Sequence, residues 1–252
     1  MTAISATLFR AIIWAIAGAS YGLIYFSMLS YFGQSGAAWW HPIIAACCAG
    51  ALVAAAYSAK RVAIVGLLVG SIISHLHIAF AADASHPRLL LGITAVVGFV
   101  AGVIASWVFE RRHGALLVVS AGGVGGIFGG SAIVVLTTLL PFLDTPALVS
   151  FFLVPANGGL FYLMAIWAGR HRQQLVPHWL GVGIVSAGIS MVAAVGLWLL
   201  SLTLRFDLDP ALKTAVEAMF STLPQAMAGG ILGGAIGGVL LELFKVKWLI
   251  RL

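Results

Sequence analysis

Apolar residues run along this chain in long blocks, and short polar breaks separate them. A helix rising about 1.5 Å per residue needs about 20 apolar residues to cross a hydrocarbon core of about 30 Å. The blocks fall near 11–33, 41–59, 62–81, 88–109, 115–142, 146–169, 178–203 and 222–244. The pattern predicts an all-α polytopic membrane protein with eight transmembrane helices. Proline marks the starts. His41-Pro42, His86-Pro87, Thr145-Pro146 and Pro177-His178 each put Pro where the first N–H groups of a helix have no partner anyway. Asp209-Pro210 reads as an N-cap followed by the first helical residue. Beyond it, Leu212, Val216, Met219 and Phe220 share one face, and Lys213 and Glu217 form an i,i+4 pair on another. A short amphipathic helix is expected there, running into span eight with a kink at Pro224. A single long, tilted helix is the alternative.

Charge adds orientation. The breaks carry Lys60/Arg61, Arg111/Arg112, Arg170/Arg172 and the tail Lys245, Lys247 and Arg251. With Arg10 these ten of the thirteen Lys and Arg residues fall on one side, leaving Arg88, Arg205 and Lys213 on the other. The positive excess places both termini in the cytoplasm, as in a bacterial inner membrane protein. The chain is 62% hydrophobic and 8% charged, against about 25% charged in soluble domains. Lipid must therefore be its solvent. The net charge of +6 sits at helix ends, where membrane lipid headgroups are the partner, so it does not point to nucleic acid. Cys47 and Cys48 are adjacent in an apolar run and form no disulfide framework. The first apolar block is too long for a signal-peptide core and reads as a retained span.

Two stretches align without gaps. Residues 98–110 match 230–242, with Gly98, Gly102, Ile104 and Glu110 recurring as Gly230, Gly234, Ile236 and Glu242. Spans one and five share Ala17-Gly18, Gly22 and Ser27 with Ala121-Gly122, Gly126 and Ser131. This suggests a tandem four-plus-four pseudo-repeat: a four-helix half over 1–113 and a second over 114–252. A pathway or pocket would then lie between the halves. Glycines recur every three to four residues at Gly122, Gly125/Gly126, Gly129/Gly130 and at Gly229/Gly230, Gly233/Gly234, Gly237/Gly238. They predict one smooth face per helix for close packing. That packing is within the chain, with partner transmembrane subunits, or in a homo-oligomer through the Gly-rich helices.

The chemistry is sparse. Gly18-Ala19-Ser20-Tyr21-Gly22 resembles an intramembrane serine protease motif only superficially, with no His at matching depth. At the middle of span six, Pro155-Ala156-Asn157-Gly158-Gly159 combines a freed carbonyl, loose backbone and a polar amide. Polar groups at that depth are costly and often functional. The repeat sets Cys47 opposite Asn157. Asn157, Pro155, Gly158, Gly159 and Cys47, with Gln225 beside Pro224, form the candidate substrate-binding set. The plainer reading has Asn157 bonding a neighbouring helix. His41, His75, His77 and His86 fall on the outer side near Asp83 and are candidate metal or haem ligands. His75 and His77 are two apart on a helix and point to nearly opposite faces, so they cannot share a metal unless span three unwinds. Anchoring at the membrane interface is the plainer reading. No cofactor is specified. Glu110 and Glu242 are expected to pair with neighbouring Arg111/Arg112 and Lys245 at the inner boundary. No Asp or Glu falls at mid-span, which argues against a strongly ion-coupled carrier. Three functions follow: transport of a small solute or lipid between the halves, a non-catalytic subunit of a larger inner-membrane complex, or an outer-side metal- or haem-dependent redox subunit using His41, His75 and His77.

Overall fold

The computed structural model describes residues 3–33, 38–58, 60–80, 87–109, 115–171, 177–203 and 210–246. Among them are eight α-helices: α1 (Ala3–Gly33), α2 (His41–Ser58), α3 (Lys60–Phe80), α4 (Pro87–Phe109), α5 (Ala115–Leu139), α6 (Pro146–His171), α7 (His178–Thr203) and α8 (Pro210–Leu243). A short 3-10 turn, Pro141–Leu143, follows α5. The protein is an all-α polytopic membrane protein: seven of the helices are long and apolar enough to cross a membrane. The remaining one, α2, has 18 residues, about 27 Å of helix, close to the thickness of a hydrocarbon core. The proline-marked starts lie at or beside the observed helix starts. Two helices are longer than their apolar blocks. α1 begins well before Arg10, and α8 is continuous from Pro210 through Pro224 to Leu243, 34 residues in all. The side chains of Leu212, Lys213, Val216 and Met219 lie outside the described residues.

The chain divides into two compact units. The larger holds α1, α6 and most of α2, α5 and α8; the smaller holds α3, α4 and α7. Each draws on residues from both 1–113 and 114–252.

The larger unit is assembled through glycine. α1 and α8 run antiparallel with crossings every four residues. A Cβ on Gly18 would land on the Gly230 carbonyl and one on Gly22 on that of Ala226. Likewise a Cβ on Gly234 would meet the Trp14 carbonyl, and one on Gly238 that of Arg10. The alternate glycines of α8 serve another neighbour: Gly229, Gly233 and Gly237 abut Ala147, Phe151 and Pro155 of α6. Each Gly-Gly pair therefore gives one residue to α1 and one to α6, so α8 has two smooth faces where one was expected. α5 repeats the device, with Gly122, Gly126 and Gly130 against α2 and Gly125 and Gly129 against α6. Without side chains the backbones approach closely and gain dispersion contacts that lipid would not supply. In the smaller unit α7 plays the central part. Ser186 and Ser190 receive Gly66 and Gly70 of α3 and Gly98 and Gly102 of α4.

The glycines matched by the pseudo-repeat are thus helix crossings in both halves, but their partners are not equivalent. Gly18 and Gly22 meet α8, whereas Gly122 and Gly126 meet α2. Outward faces are apolar, with Ile64, Leu67, Leu68, Ile72, Val96, Val100 and Ile104 exposed, as lipid contact requires. Trp107 and Trp179 are exposed at one end of the smaller unit, where indole rings suit a membrane interface.

At Gly92, Gly159 and Gly196 no atom lies within 4 Å of where a Cβ would stand. Substituting any of them by Ala is expected to be neutral or to stabilise by up to about 1 kcal/mol through helix propensity alone. Thermal unfolding of each variant in detergent checks this, and a loss of stability at all three would contradict the packing described.

Candidate functional site

The buried stripe of α1 is unusual in composition. Arg10, Trp14, Gly18, Tyr21, Gly22, Tyr25 and Met28 are all buried, at the three- and four-residue steps that keep one face of a helix together. Much of that stripe faces α6, which runs antiparallel to it. Gly22 abuts Ser150, Gly18 abuts Val154 and Trp14 lies against Gly158.

At the centre of this seam Asn157 Nδ2 donates to Tyr21 Oη at 2.9 Å. Tyr21 Oη in turn donates to the Ala46 carbonyl of α2 at 3.2 Å. Both side chains are about 4% exposed. Room for the amide comes from glycine: Gly125 of α5 faces its Oδ1, and Gly50 of α2 lies beside its Nδ2. Three helices are tied together by two bonds. Tyr21→Phe removes the middle link and leaves the Asn157 amide short of an acceptor, so a loss of about 1–2 kcal/mol is expected. The double variant Tyr21→Phe/Asn157→Leu removes both polar groups and should recover part of that loss; a chemical-unfolding cycle measures the coupling.

Further along the seam the polar groups lack protein partners. Trp14 and Tyr162 stack with ring centroids 5.6 Å apart. Trp14 Nε1 and Tyr162 Oη are buried and have no hydrogen-bond partner, and neither has Ser150 Oγ. One turn from Trp14, Arg10 is 1% exposed and its Nη1 donates to Glu242 Oε2 at 2.9 Å. Nη1 also lies 3.3 Å from the Leu241 carbonyl. This corrects the expected pairing of Glu242 with Lys245, which instead closes the end of α8 through its backbone N–H on the Glu242 carbonyl. Glu110, Arg111 and Arg112 lie outside the described residues.

The substrate-binding candidates separate. Asn157 and Gly158 are buried in the seam, and Pro155 is half-buried against Gly237. α6 remains helical throughout this stretch. Cys47 is half-buried beside Gly123 of α5, next to the Ala46 carbonyl that closes the Asn157 network. Gly159 and Gln225 are exposed. Ser20 is exposed and bonds the Ile16 carbonyl of its own helix.

The histidines have separate surroundings. His41 is buried, takes the Ala38 N–H on Nδ1 at 3.3 Å and stacks on Phe32. His75 is exposed, with Nδ1 3.1 Å from the Ser71 carbonyl of its own helix. His77 is half-buried with a buried Nε2 that has no protein partner. α3 is helical through both. Among the described residues no three His, Cys, Asp or Glu side chains stand close enough to hold a metal ion. Asp83 and His86 lie outside the described residues.

Sequence reasoning missed Trp14, Tyr162 and Ser150 because nothing in a chain rich in aromatic and small residues singles them out. The four-residue step from Arg10 to Trp14 was the available signal. Comparison with protein-family models, curated proteins and solved structures finds no match.

Proposed function

We propose that the protein transports a small solute across the membrane along the α1–α6 seam of its larger unit. The observation that carries this reading is the run of buried polar groups on that seam. From the Arg10 level to the Gly22–Ser150 level the seam covers about 18 Å of helix. Along it Trp14 Nε1, Tyr162 Oη and Ser150 Oγ have no protein partner. An orphaned polar group in a membrane interior costs several kcal/mol. A polar solute in transit would satisfy such groups. The seam joins a helix of the first half to one of the second, as transport between halves requires. The two-faced glycine helices α5 and α8, the natural seats for partner subunits, are already occupied by α1, α2 and α6. In this reading the excess of basic residues keeps both termini in the cytoplasm.

The test is osmotic swelling of liposomes holding the purified protein, challenged with small neutral solutes such as glycerol and urea. Entry faster than in protein-free vesicles, abolished by Asn157→Leu, is the expected result. No entry of any solute, together with co-purifying membrane subunits, would turn the account to a complex subunit.

A further inference from the structure

Among the described side chains of α1, Arg10 is the first to be buried; those at 4–9 ahead of it are exposed or half-buried. Two side-chain contacts mark this end of the seam. Arg10 Nη1 clasps the last turn of α8, donating to Glu242 Oε2 at 2.9 Å and to the Leu241 carbonyl at 3.3 Å. A cation there also meets the negative end of the α8 dipole. One turn on, Trp14 stacks on Tyr162 of α6, and the stack is held by ring contact because Trp14 Nε1 and Tyr162 Oη have no partner. α6 and α8 run parallel and pack through Gly229, Gly233 and Gly237. They form one wall, and α1 closes against it. The accessible surface ends at the ion pair: Glu242 is 28% exposed and Arg10 1%. An apolar pair of similar volume would hold α1 about as firmly. What an ion pair with one exposed member adds is reversibility, because water can take over the carboxylate as the contact parts.

We propose that the Arg10–Glu242 pair is a latch on the end of the α1–α6 seam. While it is closed, the first turns of α1 seal that end. When it parts, they swing away from α6 and α8, the Trp14–Tyr162 stack separates, and solute enters. The Gly18–Gly230 crossing, backbone on backbone, is the fixed point of the movement. The proposal rests on the transport reading and names the residues that regulate it.

Glycerol swelling of proteoliposomes tests it at equal protein content. Glu242→Gln keeps the size of the side chain and an acceptor oxygen for Arg10 but removes the charge that makes the contact strong, so entry about ten-fold faster than in the native protein is expected. Adding Asn157→Leu to that variant should abolish the entry, because the solute still travels along the seam. Arg10→Lys keeps the charge and loses the fork that reaches both Glu242 and Leu241; it should raise entry about three-fold and serves as the second variant if Glu242→Gln does not give a monodisperse protein. A pair that only staples α1 to α8 would leave entry unchanged or lower it. Entry at the native rate or slower in both folded variants would therefore overturn the latch and leave transport standing. Faster entry that survives Asn157→Leu would place the leak outside the seam and overturn it too. No entry in the native protein or in either variant would remove the transport reading and this proposal together.

Discussion

Removing the carboxylate of Glu242 is expected to destabilise the folded protein by about 2–4 kcal/mol. Arg10 is 1% exposed and Glu242 28% exposed, so Glu242→Ala takes the carboxylate away from a buried guanidinium while its own site keeps some access to water. Breaking a buried pair by removing one member costs about 3–5 kcal/mol, and the partial exposure of Glu242 lowers that figure. The pair also links the N-terminal part of α1 to the end of α8, 232 residues away in the chain. Replacing both members by Met should recover most of the loss, because the desolvation cost disappears with the charges. Chemical unfolding of the two single variants and the double variant in one detergent measures this. A Glu242→Ala protein as stable as the native one would show that the pair does not hold α1 to α8.

Gly230→Leu is expected to have the larger effect. The new Cβ would occupy the position of the Gly18 carbonyl, which is backbone and cannot swing aside. The α1–α8 crossing must open, and the contacts at Gly22, Gly234 and Gly238 open with it. Overpacking a core commonly costs 1–3 kcal/mol; with backbone as the obstacle, about 3 kcal/mol or more is expected. Loss of the monodisperse peak on size-exclusion chromatography of detergent-extracted protein reads it directly. Retention of the native profile and thermal midpoint would contradict the crossing.

The helices were legible because lipid imposes their length and because proline and basic residues punctuate their ends. Arg10 shows where that logic stops. As a lone cation before an apolar block it reads as a break residue, yet it is buried inside α1 because Glu242 stands opposite it, and no local pattern announces a partner so distant in sequence. The Gly-Gly pairs of α8 announced close packing. That each pair divides between two neighbours follows from three helices meeting, which a single-helix view cannot show. Asn157 stood out because Pro155, Gly158 and Gly159 break the apolar run around it. Its partner Tyr21 was hidden in a stretch whose glycines drew attention instead. Trp14 has only its four-residue step from Arg10 as a local signal and Tyr162 has none: the structure reveals that their polar atoms are buried without protein partners.

The central claim is that the α1–α6 seam is reached by aqueous solute. Its most direct test is thiol labelling in sealed membranes, with Cys47 and Cys48 first replaced by Ala. Ser150→Cys is nearly isosteric and sits in the seam, Tyr162→Cys probes its other end, and Leu163→Cys places a thiol on the exposed apolar surface as the control. Only an ionised thiol reacts quickly with a membrane-impermeant methanethiosulfonate, and ionisation needs water. The account predicts that both seam thiols react at least about ten-fold faster than the control. Seam thiols as inert as Leu163→Cys would mean a dry, purely structural seam and would contradict the transport account.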